Sequence, residues 1–316
     1  MVLEGQILRY YLGLFSLFFI FYLIFIIFFK NFNAFDDIIK INKGENTLSI
    51  SNKITYNYNY FDKNIFKLII LFTDKYYKPI NYGQFIIKKN SNFLEVLKLI
   101  TEKSNYDYKI TIIEGWEKYQ LDNYLSSYYE DYKTIPYTDL IANTYIINSS
   151  NSILDLKEYL EKYKKNFFDK YKDNKLLKKY GVKNILILSS LVEKEAKNKD
   201  DKLLISSVIL NRLNNNMKLQ IDASVIASLT EGKFKLNRSL TTKDLKYDHP
   251  LNTYITKGIP AEMICYVGQE TVELLLENPK SNFLFYFFNI LENRHIFSKN
   301  YESHRKQLNE YRKKIK

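Results

Sequence analysis

The longest apolar run lies near the start of the chain. Residues 10–29, Tyr-Tyr-Leu-Gly-Leu-Phe-Ser-Leu-Phe-Phe-Ile-Phe-Tyr-Leu-Ile-Phe-Ile-Ile-Phe-Phe, carry no charge. A helix of that length, rising about 1.5 Å per residue, matches a hydrocarbon core about 30 Å thick. The pattern therefore predicts one membrane helix. The Phe-Phe-Lys that follows offers no small-residue cleavage site, so an uncleaved anchor is expected. Arg9 precedes the run, and Lys30, Lys40 and Lys43 follow it with Asp36 and Asp37 among them, so charge alone sets no orientation. No second run of that length follows.

Beyond the anchor the patterning is mixed. Leu48–Ser51 and Lys67–Phe72 read as short β-rich runs, and a turn at Asn81-Tyr82-Gly83 leads to a strand at Phe85-Ile86-Ile87. A helix follows, capped by Ser91 or Asn92, with Phe93, Val96, Leu97 and Ile100 on one face. Ser104-Asn105 mark a break before a strand over Tyr108–Ile113, in line with which Trp116 is read as core. Helices are expected over Leu121–Tyr129 and from Ile153 to about Lys170, the latter turning Leu156, Leu160 and Phe167 inward.

The stretch Asn184–Glu195 carries the first chemical signal. Ile187, Leu188, Leu191 and Val192 recur on one helical face, and the next place on that face is Glu195. A carboxyl among apolar side chains loses hydration of its charged form, which raises its pKa toward the range useful to a general acid. The plainer alternative makes Glu195 the first polar residue beyond a buried stripe. Glu193, about 160° around the helix, shares its face with Ser189 and Ser190 and is expected to meet water. After a further helix, Leu203–Leu213, two irregular segments stand out, Met217–Asp222 and Asp248–Pro260. In an extended chain Gln220 and Asp222 would project from one face. Asn252-Thr253-Tyr254 combines an amide, a hydroxyl and an aromatic plate, the mixture that sugar recognition needs, although ordinary loop capping by Asn, Asp and Thr is the plainer account of either segment taken alone.

Composition narrows the field. The 316 residues carry a formal charge of +12, but Lys and Arg are spread along the chain with no basic cluster interleaved with aromatics, so nucleic acid is not an expected partner. Cys265 is the only cysteine, which excludes an intrachain disulfide and a cysteine-based zinc site. His249, His295 and His304 form no compact ligand set, so neither metal nor cofactor is expected. Histidine as a type titrates near neutrality, but His295 and His304 are not assigned to the chemistry.

These residues carry a resemblance. Ser190–Glu195, Val208–Leu213, Met217–Asp222, Asn252-Thr253-Tyr254 and Gly258-Ile259-Pro260 resemble, in order and spacing, the membrane-anchored endolytic murein transglycosylase family (MltG, YceG-like). Tyr82–Phe85, Ile110–Trp116, His295-Ile296-Phe297 and Ser303-His304 fit the same family. The chain departs from the family pattern at Ala223 and Ser224, at Leu251, at Ala261 and at Ile141–Tyr145. The resemblance implies an α+β fold: an anchor over residues 1–30, a small LysM-like α+β subdomain over 31–105 and a mixed, helix-rich catalytic domain over 106–316.

It further implies a single-pass protein of the cytoplasmic membrane with its catalytic domain outside the cytoplasm. The expected activity is endolytic cleavage of MurNAc–GlcNAc bonds in peptidoglycan glycan strands, leaving 1,6-anhydroMurNAc ends, with Glu195 acting as acid and then base. Gln220, Asp222, Ser224, Asn252, Thr253 and Tyr254 become the substrate-binding set, and cell-wall synthases become candidate partners. The alternative is a catalytically weakened, membrane-tethered glycan-binding or scaffold protein, motivated by the substitutions at Ala223, Leu251 and Ala261.

Overall fold

A computed structural model describes residues 2–31, 37–56 and 58–315, so that Asp36 lies outside the described residues. The chain divides into two compact units, Met1–Lys109 with Ile146–Asn151, and Ile110–Tyr145 with Ser152–Lys316. The fold is mixed α+β, and every sheet among the described residues is two-stranded.

The first unit opens with α1 (Val2–Phe28), whose segment Arg9–Phe28 is long and apolar enough to cross a membrane. Then come β1 (Asp37–Ile41), α2 (Thr47–Ile54), α3 (Tyr60–Phe72), β2 (Gly83–Ile87) and α4 (Phe93–Ile100). β1 and β2 pair antiparallel with Ile39 opposite Phe85. The runs expected to be β-rich around Leu48 and Lys67 are helical instead. Their buried residues are four apart, Ile50 with Ile54 and Phe66 with Ile70. Asn46 and Asn59 cap the two helices by accepting from Ser49 N and Asp62 N, so helical spacing and capping together outweigh β propensity. Of the two expected caps, Asn92 starts α4, and with Glu95 it forms a capping box. Phe66 and Phe93 stack at 3.9 Å in the core that the unit builds around them.

The unit boundary falls within the paired strands β3 (Asp107–Thr111) and β4 (Thr144–Asn148). Trp116 lies beyond β3 in a turn, half-buried and edge-on to Tyr124 at 5.5 Å, not in a strand core. The second unit continues through α5 (Lys118–Leu125), α6 (Ile153–Asp169), α7 (Lys175–Glu195), α8 (Lys199–Asn214), α9 (Asp222–Thr230) and α10 (Gln269–Leu276). It closes with the antiparallel hairpin β5 (Phe285–Asn289) and β6 (Arg294–Ser298), and then α11 (Tyr301–Lys314). α5 begins earlier than the expected Leu121 because Glu117 and Gln120 form a capping box.

α7 is the centre of this unit, packed against α8, α9 and α10. It breaks at Gly181, whose φ of 75° and ψ of 162° belong to a backbone region that glycine occupies nearly alone. From Ile185 to Val192 every residue is buried, so the helix is enclosed on all sides and Ser189 and Ser190 do not face solvent. Ser190 Oγ donates to Ile187 O at 2.7 Å and accepts from Ile264 N at 3.1 Å, which satisfies it inside the core. Ser190 O also accepts a weak bond from the buried Cys265 thiol at 3.4 Å. Glu193 is likewise withdrawn from water: it pairs with Lys202 at 3.3 Å and accepts from Gly268 N at 3.1 Å. The partner arrives from α8, and burial without it would leave a bare charge.

Candidate active site

Glu195 is the last residue of α7, and the chain turns into extended backbone at Ala196. Its carboxyl is therefore fixed by a rigid helix yet freed at the helix end. Tyr286 on β5 donates its hydroxyl to Glu195 Oε2 at 3.3 Å, and the backbone N–H of Ala223, in the first turn of α9, bonds the same carboxyl. Burial pushes the Glu195 pKa up to about 7, with the Asp222 charge adding to the rise; the bonds from Ala223 and Tyr286 and the charge of Lys197 pull the other way. A carboxyl poised there holds its proton near neutrality and can also take one back.

Asp222 opens α9 and accepts the Tyr254 hydroxyl at 2.6 Å. Burial, reinforced by Asp222, holds the Tyr254 hydroxyl well above its ordinary pKa, so it remains a donor. Tyr286 is pushed up likewise, by burial and then by the Glu195 charge. The segment before α9 is pinned by buried Arg212 of α8. Its Nη1 donates to Leu219 O at 2.6 Å and Lys218 O at 3.2 Å, while Nε donates to Leu284 O at 2.6 Å. One guanidinium thus joins the segment carrying Asp222 to the strand carrying Tyr286.

Glu195, Asp222 and Tyr254 come together in this arrangement, and Gln220 adjoins Arg212, with its Oε1 3.5 Å from Nη1. The expected shared face of Gln220 and Asp222 does not form, because Gln220 takes a left-handed φ of 51° and Asp222 is already helical. Ser224, Asn252 and Thr253, expected to contact substrate, are fully buried. Ser224 Oγ lies 2.8 Å from Thr253 Oγ1, which accepts Ile221 N at 2.9 Å. Asn252 Nδ2 donates to Leu245 O and Tyr247 O. These three hold the loops that present the exposed Gln220 and Asp222 and the half-buried Tyr254. His295 is buried with Nδ1 2.9 Å from Asp201 Oδ2, and His304 stacks on Phe285 at 5.4 Å with burial lowering its pKa. Tyr286 and the pinning role of Arg212 escape the sequence reading. Tyr286 sits inside an aromatic run, and Arg212 in a helix gives no sign of the carbonyls it reaches.

Asp222→Asn and Tyr286→Phe should move the Glu195 titration in opposite directions. Removing the Asp222 charge lowers its pKa by about one unit, and removing the Tyr286 donor raises it by less. Carbon NMR titration of the Glu195 carboxyl checks both signs; shifts in one direction would separate one of these groups from the carboxyl.

The model of the YceG-like family matches residues 39–310. An endolytic murein transglycosylase of Bacillus subtilis (strain 168) is 33% identical over 173 residues, 54% of this chain and 47% of that protein. A protein of the same name from Streptococcus pneumoniae serotype 2 (strain D39) is 30% identical over 176 residues, 54% of this chain and 31% of that protein. The chain thus matches less than half the length of these curated relatives. Among solved structures, a yceG-like protein of Listeria monocytogenes shares the fold with a TM-score of 0.55 at 24% identity, covering 87% of this chain and 100% of that one.

Proposed function

Because the chain belongs to the YceG-like family, we propose that it is an endolytic lytic transglycosylase acting on peptidoglycan glycan strands. The observation that carries this is Glu195, held at the end of α7 with its pKa near 7 and Tyr286 bonded to it. In the proposed reaction the protonated carboxyl of Glu195 donates to the glycosidic oxygen between MurNAc and GlcNAc as the bond to the muramyl anomeric carbon breaks. The resulting carboxylate takes the proton of the muramyl 6-hydroxyl, whose oxygen closes on that carbon. The product is a 1,6-anhydroMurNAc end, and no water is consumed. Tyr286 steadies the carboxylate between these steps, and Gln220, Asp222 and Tyr254 orient the sugars.

Hydrolysis would need a second carboxylate as nucleophile or base. Glu193 is engaged by Lys202 and Gly268, and Asp222 by the hydroxyl of Tyr254, which favours the non-hydrolytic route. In the proposed organisation, α1 is an anchor over residues 1–30 in the cytoplasmic membrane, and residues 31–105 form a LysM-like subdomain, an assignment supported by the order β1-α2-α3-β2 with antiparallel outer strands. Residues 106–316 form an extracytoplasmic catalytic domain that meets cell-wall synthases and limits glycan strand length.

Digestion of purified peptidoglycan, read by mass spectrometry of the sugar ends, tests the reaction. The expected products carry 1,6-anhydro ends. Ordinary reducing ends would make the enzyme a hydrolase, and glycan binding without cleavage would make it a scaffold; either result overturns the proposal.

A further inference from the structure

The last turns of α1 are covered on one side only. From Arg9 to Phe21 the helix is exposed all round, whereas Tyr22, Leu23, Ile26 and Ile27, which share one face, pack against the core of the first unit, with Ile26 wholly buried. A polar clasp fixes the level of this contact. Tyr22 donates its hydroxyl to Asp62 Oδ1 at 2.5 Å, Lys30 pairs with the other carboxylate oxygen, and the Tyr22 ring meets Phe61 at 5.7 Å. The Lys30–Asp62 ion pair and the Tyr22 hydroxyl together tie α1 to α3. Phe61 and Asp62 belong to the first turn of α3, which therefore begins at the depth of Tyr22.

The length of α1 turns that contact into a position in the membrane. The stretch clear of the unit, Arg9–Phe21, rises roughly 20 Å, short of a hydrocarbon core of about 30 Å. Only by including the covered stretch up to Phe28 does the helix reach across, and Tyr22 lies roughly 9 Å before that end. Whatever stands beside Tyr22 is then level with the outer third of the hydrocarbon layer.

The outward face of α3 supplies an independent observation. Phe61, Leu68 and Phe72 are exposed there, Leu68 to 67% and Phe72 to 62%, with Tyr60 beside them and Tyr76 one turn further on. The inward face is formed by Phe66 and Ile70 with the buried Asp62, and Lys63, Asn64 and Lys67 are gathered along one flank. A helix with water on its outer side carries polar residues there, whereas the line Phe61, Leu68 and Phe72 presents apolar side chains alone. The exposed Lys75 and Lys78 close the segment, giving the aromatic and basic mixture of a bilayer interface.

We propose that the outward face of α3, from Phe61 to Phe72, lies in the lipid bilayer beside the end of α1, making the first unit a membrane-seated body. This rests on α1 spanning the membrane.

The full chain, reconstituted in phosphatidylcholine–phosphatidylglycerol vesicles with brominated acyl chains, gives the test. Leu68→Trp, Phe72→Trp and Phe15→Trp are compared with the parent, whose Trp116 sets the background. Emission from all three added tryptophans is expected to fall at least twofold against unbrominated vesicles, with little quenching by aqueous iodide. Bromine quenching at Phe15→Trp together with iodide quenching at Leu68→Trp and Phe72→Trp would put α3 in water and overturn the proposal. Protection of the α3 positions from both quenchers would mean that protein covers the face, which also overturns it. No bromine quenching at Phe15→Trp would remove the spanning helix itself.

Discussion

Glu195→Gln is expected to reduce the proposed glycan cleavage about a thousandfold, within the range that a positioned acid contributes, and at the same time to stabilise the protein above neutral pH. The second effect separates loss of chemistry from loss of fold. The Glu195 pKa rises from 4.5 to about 7 on folding, so between those values the folded protein binds more protons than the unfolded chain. Its stability contribution is intact below pH 4.5, declines as pH rises toward 7, and stays diminished above, by up to about 3 kcal/mol at 1.36 kcal/mol per unit. Glutamine keeps the shape and carries no charge, so it escapes this decline. Urea denaturation at pH 4 and pH 8 should give variant and parent similar stability at the lower pH and a more stable variant at the higher. A variant less stable at pH 8 would mean that Glu195 is a structural carboxylate.

Arg212→Met is expected to destabilise the chain by about 3–4 kcal/mol and to cripple cleavage without removing any group from the reaction. Leu219 O and Leu284 O each accept a short bond from the guanidinium, which itself lies over the Phe285 ring at 5.2 Å. Methionine fills the volume but leaves buried carbonyls without partners, at about 1–3 kcal/mol each with incomplete additivity. Arg212→Lys should recover little, since an ammonium cannot reproduce a planar fork directed at carbonyls on two separate segments. Chemical denaturation gives the energy, and steady-state kinetics at a temperature where the variant is folded gives the consequence. Both kcat and KM should worsen, because the segment carrying Gln220 and Asp222 and the strand carrying Tyr286 loosen together. Wild-type kinetics in a destabilised protein would confine Arg212 to structural support.

The sequence was most informative where a local rule had no competitor. The Asn92 cap and the apolar face of Phe93, Val96 and Ile100 announced α4, and the apolar periodicity from Ile187 to Val192 placed Glu195 on a buried face. It was least informative where short apolar runs fit two periods, as in Lys67–Phe72, which tertiary packing of Phe66 and Ile70 resolved as helix. The surroundings of Glu195 depend on tertiary contacts that periodicity does not encode. Tyr286 comes from a strand some ninety residues later, and Glu193 is withdrawn from water by a lysine on the next helix. Ser224, Asn252 and Thr253 show the same limit from the other side. Polar types suited to a sugar were also those suited to closing loops, and burial decided between the roles.

Cys265 is wholly buried, its thiol set against Ser190 O and its pKa pushed well above the ordinary thiol range by that burial. Oxidants and other thiols react with thiolate, which this site suppresses and encloses. In the proposed extracytoplasmic setting, where nothing guarantees a reducing environment, the molecule's resistance to sulfenylation and to mixed disulfides thus depends on α7 staying packed. The helix that presents the acid also shields the thiol.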